Sequence, residues 1–459
     1  MVDECVISRS VTVARGRFAP GHLGELTQLV PFEMVDEALI ATGRVQARLR
    51  DLPSRVVVYL LLAGCLFPGL GYPQVWHRLV SGLRGVPVAS PTAGAICQAR
   101  RRIGVAPVRW LFDLLRGPAA GIATTGTRWH GLLICAIDGT TMSAPDSPAN
   151  LAEYRKHRCN HGGSGYPLLR LTALVACGTR TIIDAVFGPT SSGELTHAHQ
   201  LTRSLHTGMI LLLDRNFAAR DLITTLAATG AEILVRCKTS RIMPVLARYP
   251  DGSYLSHLGA TRVRVIDAEI AITTSTGRRT STYRLVTTLL DHHRHPAGEL
   301  VTLYHQRWEI ETAYLEIKST ILGGRVLRAR TPAGVTQEIY ALLTCYQLLR
   351  TAMTDATDSR PGIDPDRAGF TIALNAARDL TIQATAVIAD SVIDLVGDIG
   401  RLVLANLMPN RRIRTTPRLV KRAISKYNAR GPDIDRRTYQ ATLAINILAG
   451  PASTTGPEP

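Results

Sequence analysis

Five short apolar runs, rich in residues that favour β-strands, follow one another between residues 132 and 236. They are Leu132–Ile137, Leu168–Cys177, Thr181–Phe187, Met209–Leu213 and Glu232–Arg236. Helical segments lie between some of the later runs, near Leu195–Leu205 and Phe217–Ala228. Three strands with short connections, followed by strand-helix-strand alternation, predict an α/β core in which helices pack on a mixed sheet.

The charge of the chain indicates its partner. Lys and Arg number 53 against 36 Asp and Glu, a formal net charge of +17. An excess of this size is typical of proteins that bind a polyanion, nucleic acid first, although a merely soluble basic protein stays possible on charge alone. The basic run at 98–103 suits a DNA contact, but such runs are more often solvated surface.

The 459 residues predict roughly two to four domains. We expect a helical N-terminal DNA-binding domain over 1–125, a first part of the α/β core over 126–237 and a β-rich insertion over 238–290. A second part of the core over 291–355 carries the helix Glu299–Ser319, and a helical, basic C-terminal region follows over 356–459. Further helices are predicted at Glu33–Leu49, Ser54–Leu66, Tyr72–Leu83, Gln337–Thr354 and Arg367–Leu395, and strands of the insertion at Arg262–Thr273 and Tyr283–Leu290. Two short N-terminal helices joined by a Gly/Pro turn suit DNA binding, but helical hairpins are commoner as packing units.

Cysteine usage and hydropathy predict a cytoplasmic protein with no membrane association. The eight cysteines are scattered, which favours reduced thiols over disulfides or structural zinc. The N-terminus lacks the basic and apolar order of a secretory signal. The apolar stretch 56–72 contains three glycines and a proline and is shorter than a membrane span, so we expect a buried helix that ends in a turn.

Two aspartates follow predicted strands. Asp138 follows the apolar run that ends at Ile137, and Asp214 follows the run Met209–Leu213. The carboxyl ends of strands in such sheets are where reactive groups collect, so the two carboxylates are predicted to share a site. A single Asp after a strand is more often a turn or cap residue, and the pair therefore needs a third residue beside it.

The segment 304–318 supplies that third residue. On a continuous helix, at about 100° per residue, Tyr304, Arg307, Glu311 and Lys318 fall within about 60° of one another and form one polar stripe. A solvated helix scatters its charges, and an ion-pair ladder needs no tyrosine. Three carboxylates can hold two divalent ions for phosphoryl transfer, because Mg²⁺ takes oxygen ligands and needs no histidine. The side chains of Arg307, Lys318 and Tyr304 suit phosphate binding.

At these residues the chain resembles the insertion element 4 group of bacterial DDE transposases. The spacing Tyr-x2-Arg-x3-Glu-x6-Lys is reproduced by residues 304, 307, 311 and 318. The family's first aspartate lies in an Ile-Asp-Gly-Thr context, as at 137–140, and its second in a Leu-Asp-Arg-Asn-Phe context, as at 213–217. Stretches at 56–62, 72–76 and 98–104 resemble the family's N-terminal domain, so the resemblance covers about residues 20–350.

The resemblance implies a ribonuclease-H-like core interrupted by a β-rich insertion, and a cut-and-paste DNA transposase. Asp138, Asp214 and Glu311 are then the catalytic, metal-binding triad, with two Mg²⁺ ions or Mn²⁺ as a substitute. Tyr304, Arg307 and Lys318 are then the residues that handle the phosphate beside a flipped base, in a pathway through a DNA hairpin. The implied partners are the terminal inverted repeats of the element and target DNA, bound by a homodimer on the bacterial nucleoid.

Two further features of the sequence leave alternatives open. Trp308 suits stacking on a flipped base as well as packing in a core. The basic, glycine-rich segment 153–165 suits a mobile DNA-contacting loop or a plain surface loop, and His157 and His161 lack the further ligands that a zinc site needs.

Other classes of protein compete with the transposase interpretation. An inactive or domesticated transposase that only binds DNA, and a nuclease on the same core, are the main alternatives, although the intact carboxylates weigh against the first. A phosphatase with a nucleophilic aspartate would need Asp where Ala136 stands. A sugar kinase would need a glycine-rich phosphate loop that the sequence lacks.

Overall fold

The computed structural model of the chain describes residues 21–48, 50–83, 87–156, 165–274, 277–384, 396–410, 414–415, 439–440 and 442–448. The chain forms two compact units, one from residues 1–205 and 307–407 and the other from residues 206–306 and 408–459. Both units are therefore discontinuous in sequence.

The helices are α1 (Phe32–Ala41), α2 (Ser54–Leu66), α3 (Tyr72–Val80), α4 (Ala93–Ile103), α5 (Ala106–Leu115), α6 (Pro148–Tyr154), α7 (Glu194–Leu201), α8 (Arg220–Ala227), α9 (Ala297–Tyr304), α10 (Trp308–Leu315), α11 (Pro332–Asp358), α12 (Phe370–Gln383) and α13 (Gly397–Ala405). The strands are β1 (Arg128–Trp129), β2 (Leu132–Ser143), β3 (Leu168–Ala176), β4 (Ile182–Pro189), β5 (Met209–Leu213), β6 (Glu232–Cys237), β7 (Ala247–Arg248), β8 (Tyr254–Leu258), β9 (Thr261–Thr274), β10 (Gly277–Thr287), β11 (Arg414–Thr415), β12 (Tyr439–Gln440) and β13 (Thr442–Ile447).

Helices and one antiparallel set of strands build the first unit. Strands β1 to β4 pair antiparallel, each with the next, and helix α7 packs on β3 and β4. Helix α2 is buried almost throughout and ends at a turn after Leu66, which confirms the predicted buried helix. Helix α1 is shorter than predicted because Gly43 follows it at a φ of 64°, a left-handed conformation that glycine adopts without strain.

The second unit contains a mixed sheet. Strands β5 and β6 pair parallel through the crossover helix α8, and β10 then pairs antiparallel with β6. The long strands β9 and β10 form a hairpin, and β8 and β7 extend the sheet beyond β9. Three antiparallel strands in the first unit and a parallel strand-helix-strand pair in the second are the elements of the predicted ribonuclease-H-like fold, and the α/β class is confirmed.

The C-terminal region differs from its prediction as a helical segment. Helices continue to Ala405, but the described elements beyond it are strands, at 414–415, 439–440 and 442–447. Strand β13 pairs antiparallel with β9, from Thr442 opposite Thr273 to Ile447 opposite Ala268. Residues 442–447 alternate between polar or small and larger apolar side chains, which suits one face of a sheet and not a helix. The basic side chains predicted for this region, Arg411 to Lys426, lie outside the residues whose side chains are described.

Two other sequence features are the basic segment 153–165 and the apolar stretch 56–72. His157 and His161, in the basic segment 153–165, lie outside the described residues. Among the helices in the described ranges, none is both long enough and apolar enough to span a membrane.

Candidate active site

Asp138 lies in the middle of strand β2. The sequence predicted the strand to end before this residue, and that prediction is wrong, because residues 139–143 go on pairing with β3 from Thr172 to Leu168. Asp138 faces Ala173 across the ladder. Its side chain is 21% exposed, and its Oδ1 accepts a hydrogen bond from the Gly139 amide at 2.8 Å. The carboxylate therefore projects from a fixed strand and not from a loop.

Asp214 lies where the sequence predicted, directly after β5. It caps a short 3₁₀ turn over Arg215–Phe217, and its Oδ1 accepts a hydrogen bond from the Arg215 amide at 2.6 Å. Within the same unit, the buried Tyr304 donates its hydroxyl to the carbonyl oxygen of Leu213 at 3.0 Å. The residue before Asp214 is thus held by a side chain from the end of α9.

The helix predicted over Glu299–Ser319 is not continuous. A 3₁₀ turn at His305–Arg307 separates α9 from α10, and a π-helical turn at Glu316–Ile321 follows α10. These turns rotate successive side chains by angles other than 100°, so the arc calculated for one α-helix does not apply. Side chains of this segment also bond outside it, residues 309 and 316 to Arg180 and Lys318 to Thr140.

Arg307 joins the first aspartate to the glutamate. Its Nη1 donates to Oδ2 of Asp138 at 3.2 Å, and its Nη2 donates to Oε1 of Glu311 at 3.1 Å. The Arg307 side chain is 7% exposed and that of Glu311 is 36% exposed. Charge-assisted hydrogen bonds from a buried guanidinium are strong, so this arginine holds both carboxylates in place.

The other predicted phosphate-handling residues take separate positions. Lys318 donates to the Thr140 hydroxyl at 3.0 Å, two residues along β2 from Asp138 and on the same face. Trp308 is half-buried, with the guanidinium carbon of Arg307 5.3 Å from its ring centroid. Tyr304 belongs to the second unit with Asp214, whereas Arg307, Glu311 and Lys318 belong to the first with Asp138.

Sequence reasoning missed a buried ionic network behind Glu311. Arg180, in the turn between β3 and β4, has a φ of 59° and is 2% exposed. It donates to Glu309 at 2.6 Å, to Glu316 at 3.3 Å and to Asp366. These three carboxylates raise the pKa of the guanidinium above its ordinary value although burial alone would lower it. In the sequence, the signal for a buried cationic partner was the pair Glu309 and Glu316, which lie among the apolar residues of 309–316.

Tyr314 was also missed. It is 7% exposed, and its hydroxyl donates to the carbonyl oxygen of Asp138 at 2.6 Å while accepting a hydrogen bond from the Ala173 amide at 3.0 Å. The spacing argument had assigned roles only to the stripe residues around it. A buried tyrosine hydroxyl usually has a hydrogen-bond partner, so a tyrosine among the apolar residues of this helix was the available signal.

The donor set of Asp138 and Glu311 fits a hard divalent cation. Both side chains offer carboxylate oxygens, the ligands that Mg²⁺ and Mn²⁺ prefer, and both already converge on one cationic group, the guanidinium of Arg307. Within the described ranges, no three His, Cys, Asp or Glu side chains form a group ready to hold a metal ion. Arg307 and a cation bound there would interact with the same two carboxylates.

Comparisons with known proteins find similar sequences and one similar structure. The family model of the insertion element 4 transposase N-terminal domain matches residues 20–113, and the transposase DDE domain model matches residues 129–348. The transposase InsG for insertion sequence element IS4 of Escherichia coli (strain K12) is 26% identical over 410 residues, which cover 86% of this chain and 91% of that protein. A cryo-EM structure of a piggyBac transposase synaptic complex with hairpin DNA aligns with a TM-score of 0.42 and 9% identity over 84% of this chain and 85% of that chain.

The two family models lie in tandem, in the order in which the sequence resemblance places the N-terminal helices and the α/β core. The DDE domain model contains every residue of the predicted site, from Asp138 to Lys318. DDE transposase domains generally use divalent metal ions, which fits the carboxylate donors described above. The chain belongs to the insertion element 4 family of DDE transposases and is a DNA transposase.

Proposed function

We propose that Asp138, Asp214 and Glu311 are the catalytic and metal-binding carboxylates of this transposase. The observation that carries the proposal is the bridge of Arg307 between Asp138 and Glu311, because it brings two carboxylates from distant parts of the chain to one cation. Asp214, at the end of β5, is the third member by its sequence context. Two Mg²⁺ ions, or two Mn²⁺ ions in their place, would act as Lewis acids on the attacking and leaving oxygens.

The neighbouring side chains provide the contacts to DNA. Arg307 and Lys318 are cations beside the carboxylates, suited to hold the phosphate at which a strand is cut. Trp308, half-exposed, is placed to stack on an unpaired base, a contact worth roughly 1–3 kcal/mol. Tyr304 contributes through its hydroxyl, either to a phosphate or, as in this structure, to the Leu213 carbonyl.

These parts support a cut-and-paste reaction. A 3′-hydroxyl released by the first cut attacks a phosphodiester of the opposite strand, which forms a hairpin and displaces the flanking strand with a 3′-hydroxyl. Water then opens the hairpin by hydrolysis before the freed ends join target DNA. The partners are the terminal inverted repeats and the target duplex, and a homodimer would pair the two ends. The N-terminal region 1–125 is proposed to bind DNA, and the reaction to take place in the cytoplasm on the nucleoid. The formal charge of +17 favours such polyanionic partners.

The test is a magnesium-dependent cleavage assay on the DNA that flanks the protein's own reading frame. We expect flush cuts at both ends with hairpin intermediates for the wild type. Asp138→Asn, Asp214→Asn and Glu311→Gln should each reduce cleavage by at least about 100-fold while DNA binding persists, since removal of one preorganised electrostatic group costs roughly that much.

The matched control is Glu299→Gln, which makes the same chemical change at an exposed glutamate on α9. It should cleave at the wild-type rate. Near-normal cleavage by any of the three variants would remove that residue from the triad. Tight, salt-sensitive DNA binding without any cutting by the wild type would favour an inactive transposase that only binds DNA. Cutting without joined product would favour a nuclease.

A further inference from the structure

Tyr314 connects the helix that carries Glu311 to the strand that carries Asp138. It lies on α10, three residues after Glu311. Its hydroxyl donates to the backbone carbonyl of Asp138 at 2.6 Å and accepts from the backbone amide of Ala173 at 3.0 Å. Asp138 and Ala173 are direct partners in the β2–β3 ladder. One side chain thus contacts both strands at the position of the first aspartate.

The position of this rung in the ladder shows what the hydroxyl does. Antiparallel strands alternate between hydrogen-bonded pairs and pairs that are not hydrogen-bonded. The Cys177 amide bonds to the Ile134 carbonyl at 2.8 Å, and the Ala144 amide bonds to the Pro167 carbonyl at 2.9 Å, at the two ends of the same unbroken register. Asp138 is an even number of residues from both Ile134 and Ala144, so Asp138 and Ala173 fall on a hydrogen-bonded rung. The Tyr314 hydroxyl bonds to the amide of Ala173 and the carbonyl of Asp138 on that same rung.

The surroundings keep the hydroxyl in its protonated form. Tyr314 is buried, and burial, with the nearby charge of Asp138 adding to it, raises the pKa of its hydroxyl well above the ordinary value. The protonated hydroxyl is the form that donates to the Asp138 carbonyl.

The strand pairing next to this rung is irregular. The pairing of β3 with β4 shifts register between Leu174 and Val175, directly after Ala173. Such bulges re-aim side chains and are frequent beside active sites. On the opposite face of β2, the side chain of Glu194 lies where a Cβ at Gly139 would stand, so a larger residue there would require the Glu194 side chain to shift. Asp138 is thus constrained by its neighbours on β2, by β3 and by α10.

We propose that Tyr314 is a positioning residue that sets the place of the Asp138 carboxylate as a metal ligand. The inference rests on the proposed function, because it takes Asp138 as a ligand. A carboxylate on a short side chain follows its backbone closely, and the two bonds of Tyr314 to that rung fix the backbone relative to the helix of Glu311. Groups of this kind, which support a ligand without touching the metal, typically change metal affinity by about 10–100-fold when removed.

The experiment measures Mn²⁺ affinity by the electron paramagnetic resonance signal of free Mn²⁺, on the full-length protein without DNA. Tyr314→Phe keeps the ring and removes the hydroxyl. The matched control is Tyr59→Phe, because Tyr59 is also buried and its hydroxyl donates at 2.6 Å to a backbone carbonyl, that of Val30 on the helical side of the same unit. Asp138→Asn and the double variant Tyr314→Phe/Asp138→Asn complete the set.

We expect the apparent Kd for Mn²⁺ to rise about tenfold or more in Tyr314→Phe and to be unchanged in Tyr59→Phe, with similar falls in melting temperature for both. In the Asp138→Asn background, Tyr314→Phe should cause no further loss of affinity. Unchanged affinity in Tyr314→Phe, with a clear loss in Asp138→Asn, would overturn this inference alone. Unchanged affinity in Asp138→Asn would instead overturn the proposed triad.

Discussion

Tyr304 donates its hydroxyl to the carbonyl oxygen of Leu213 at 3.0 Å, one residue before Asp214. The sequence resemblance implies that this tyrosine contacts a phosphate of the DNA. In the structure it supports the backbone that presents the second aspartate. The two roles lead to different results when the hydroxyl is removed.

Tyr304→Phe therefore separates support of Asp214 from phosphate binding. If the hydroxyl acts on the backbone, the Mg²⁺ concentration that gives half the maximal cleavage rate should rise several-fold, with DNA affinity unchanged. The variant should also lose about 1 kcal/mol of stability, the usual value for one buried hydrogen bond. Titration of cleavage against Mg²⁺, with DNA affinity measured separately, checks this. A weaker affinity for DNA at an unchanged Mg²⁺ requirement would support the phosphate role instead.

Arg307→Gln should make the protein more responsive to metal. Arg307 and a divalent cation compete for the carboxylates of Asp138 and Glu311, so removal of the guanidinium favours the cation. Without metal, the variant should be less stable by about 1–3 kcal/mol, because the two carboxylates lose a charged partner. Melting temperatures with and without Mn²⁺ test this, and the rise on adding Mn²⁺ should be larger than for the wild type. An equal or smaller rise would show that Arg307 does not compete with the ion.

Arg180→Met should be among the most destabilising single substitutions in the first unit. Glu309, Glu316 and Asp366 would remain largely buried without their common partner, and breaking a buried ion pair costs about 3–5 kcal/mol. Urea unfolding provides the measurement. Arg401→Met, which breaks the exposed pair with Asp398, should cost no more than about 1 kcal/mol. Similar losses in the two variants would mean that the network contributes little.

Asp355→Asn should stabilise the protein at neutral and higher pH. Burial raises the pKa of Asp355 to about 6, and the nearby Asp358 adds to the rise. A folded-state pKa above the unfolded value means that folding favours the protonated form. That contribution is complete below about pH 4 and is lost as the pH rises through about 6. Because asparagine mimics the protonated form, the melting temperatures of variant and wild type should coincide near pH 4 and separate in favour of the variant at pH 8. Parallel curves over this range would contradict the shifted pKa.

Local patterns predicted the elements well where one pattern determined the structure. The bounds of Ser54–Leu66 and Met209–Leu213 match the prediction because each is a continuous apolar segment ended by a turn or a polar residue. Asp214 after β5 was found for the same reason. The end of β2 was misplaced because residues 139–143 are neither apolar nor alternating. Their strand conformation comes from pairing with β3, which no local pattern records.

The site could be predicted as a set of residues but not as a geometry. The spacing from Tyr304 to Lys318 identified the segment, yet it assumed one continuous α-helix. The 3₁₀ and π turns break that helix, and the segment bonds to β2 and to Arg180, which are far away in sequence. Arg180 and Tyr314 were missed because their roles consist only of such contacts. The assignment of Asp138, Asp214 and Glu311 as metal ligands stays a prediction until the variants are measured.

Strand β13 has a consequence for the synthesis of the protein. Strand β9 is made early, but the segment that pairs with its residues 268–273 leaves the ribosome only after residue 447 has been added. Until then β9 has an unpaired edge there, and open edges of this kind recruit strands from other chains. We expect that a translation product stopped soon after residue 407 would aggregate, even though every residue proposed for catalysis had already been made.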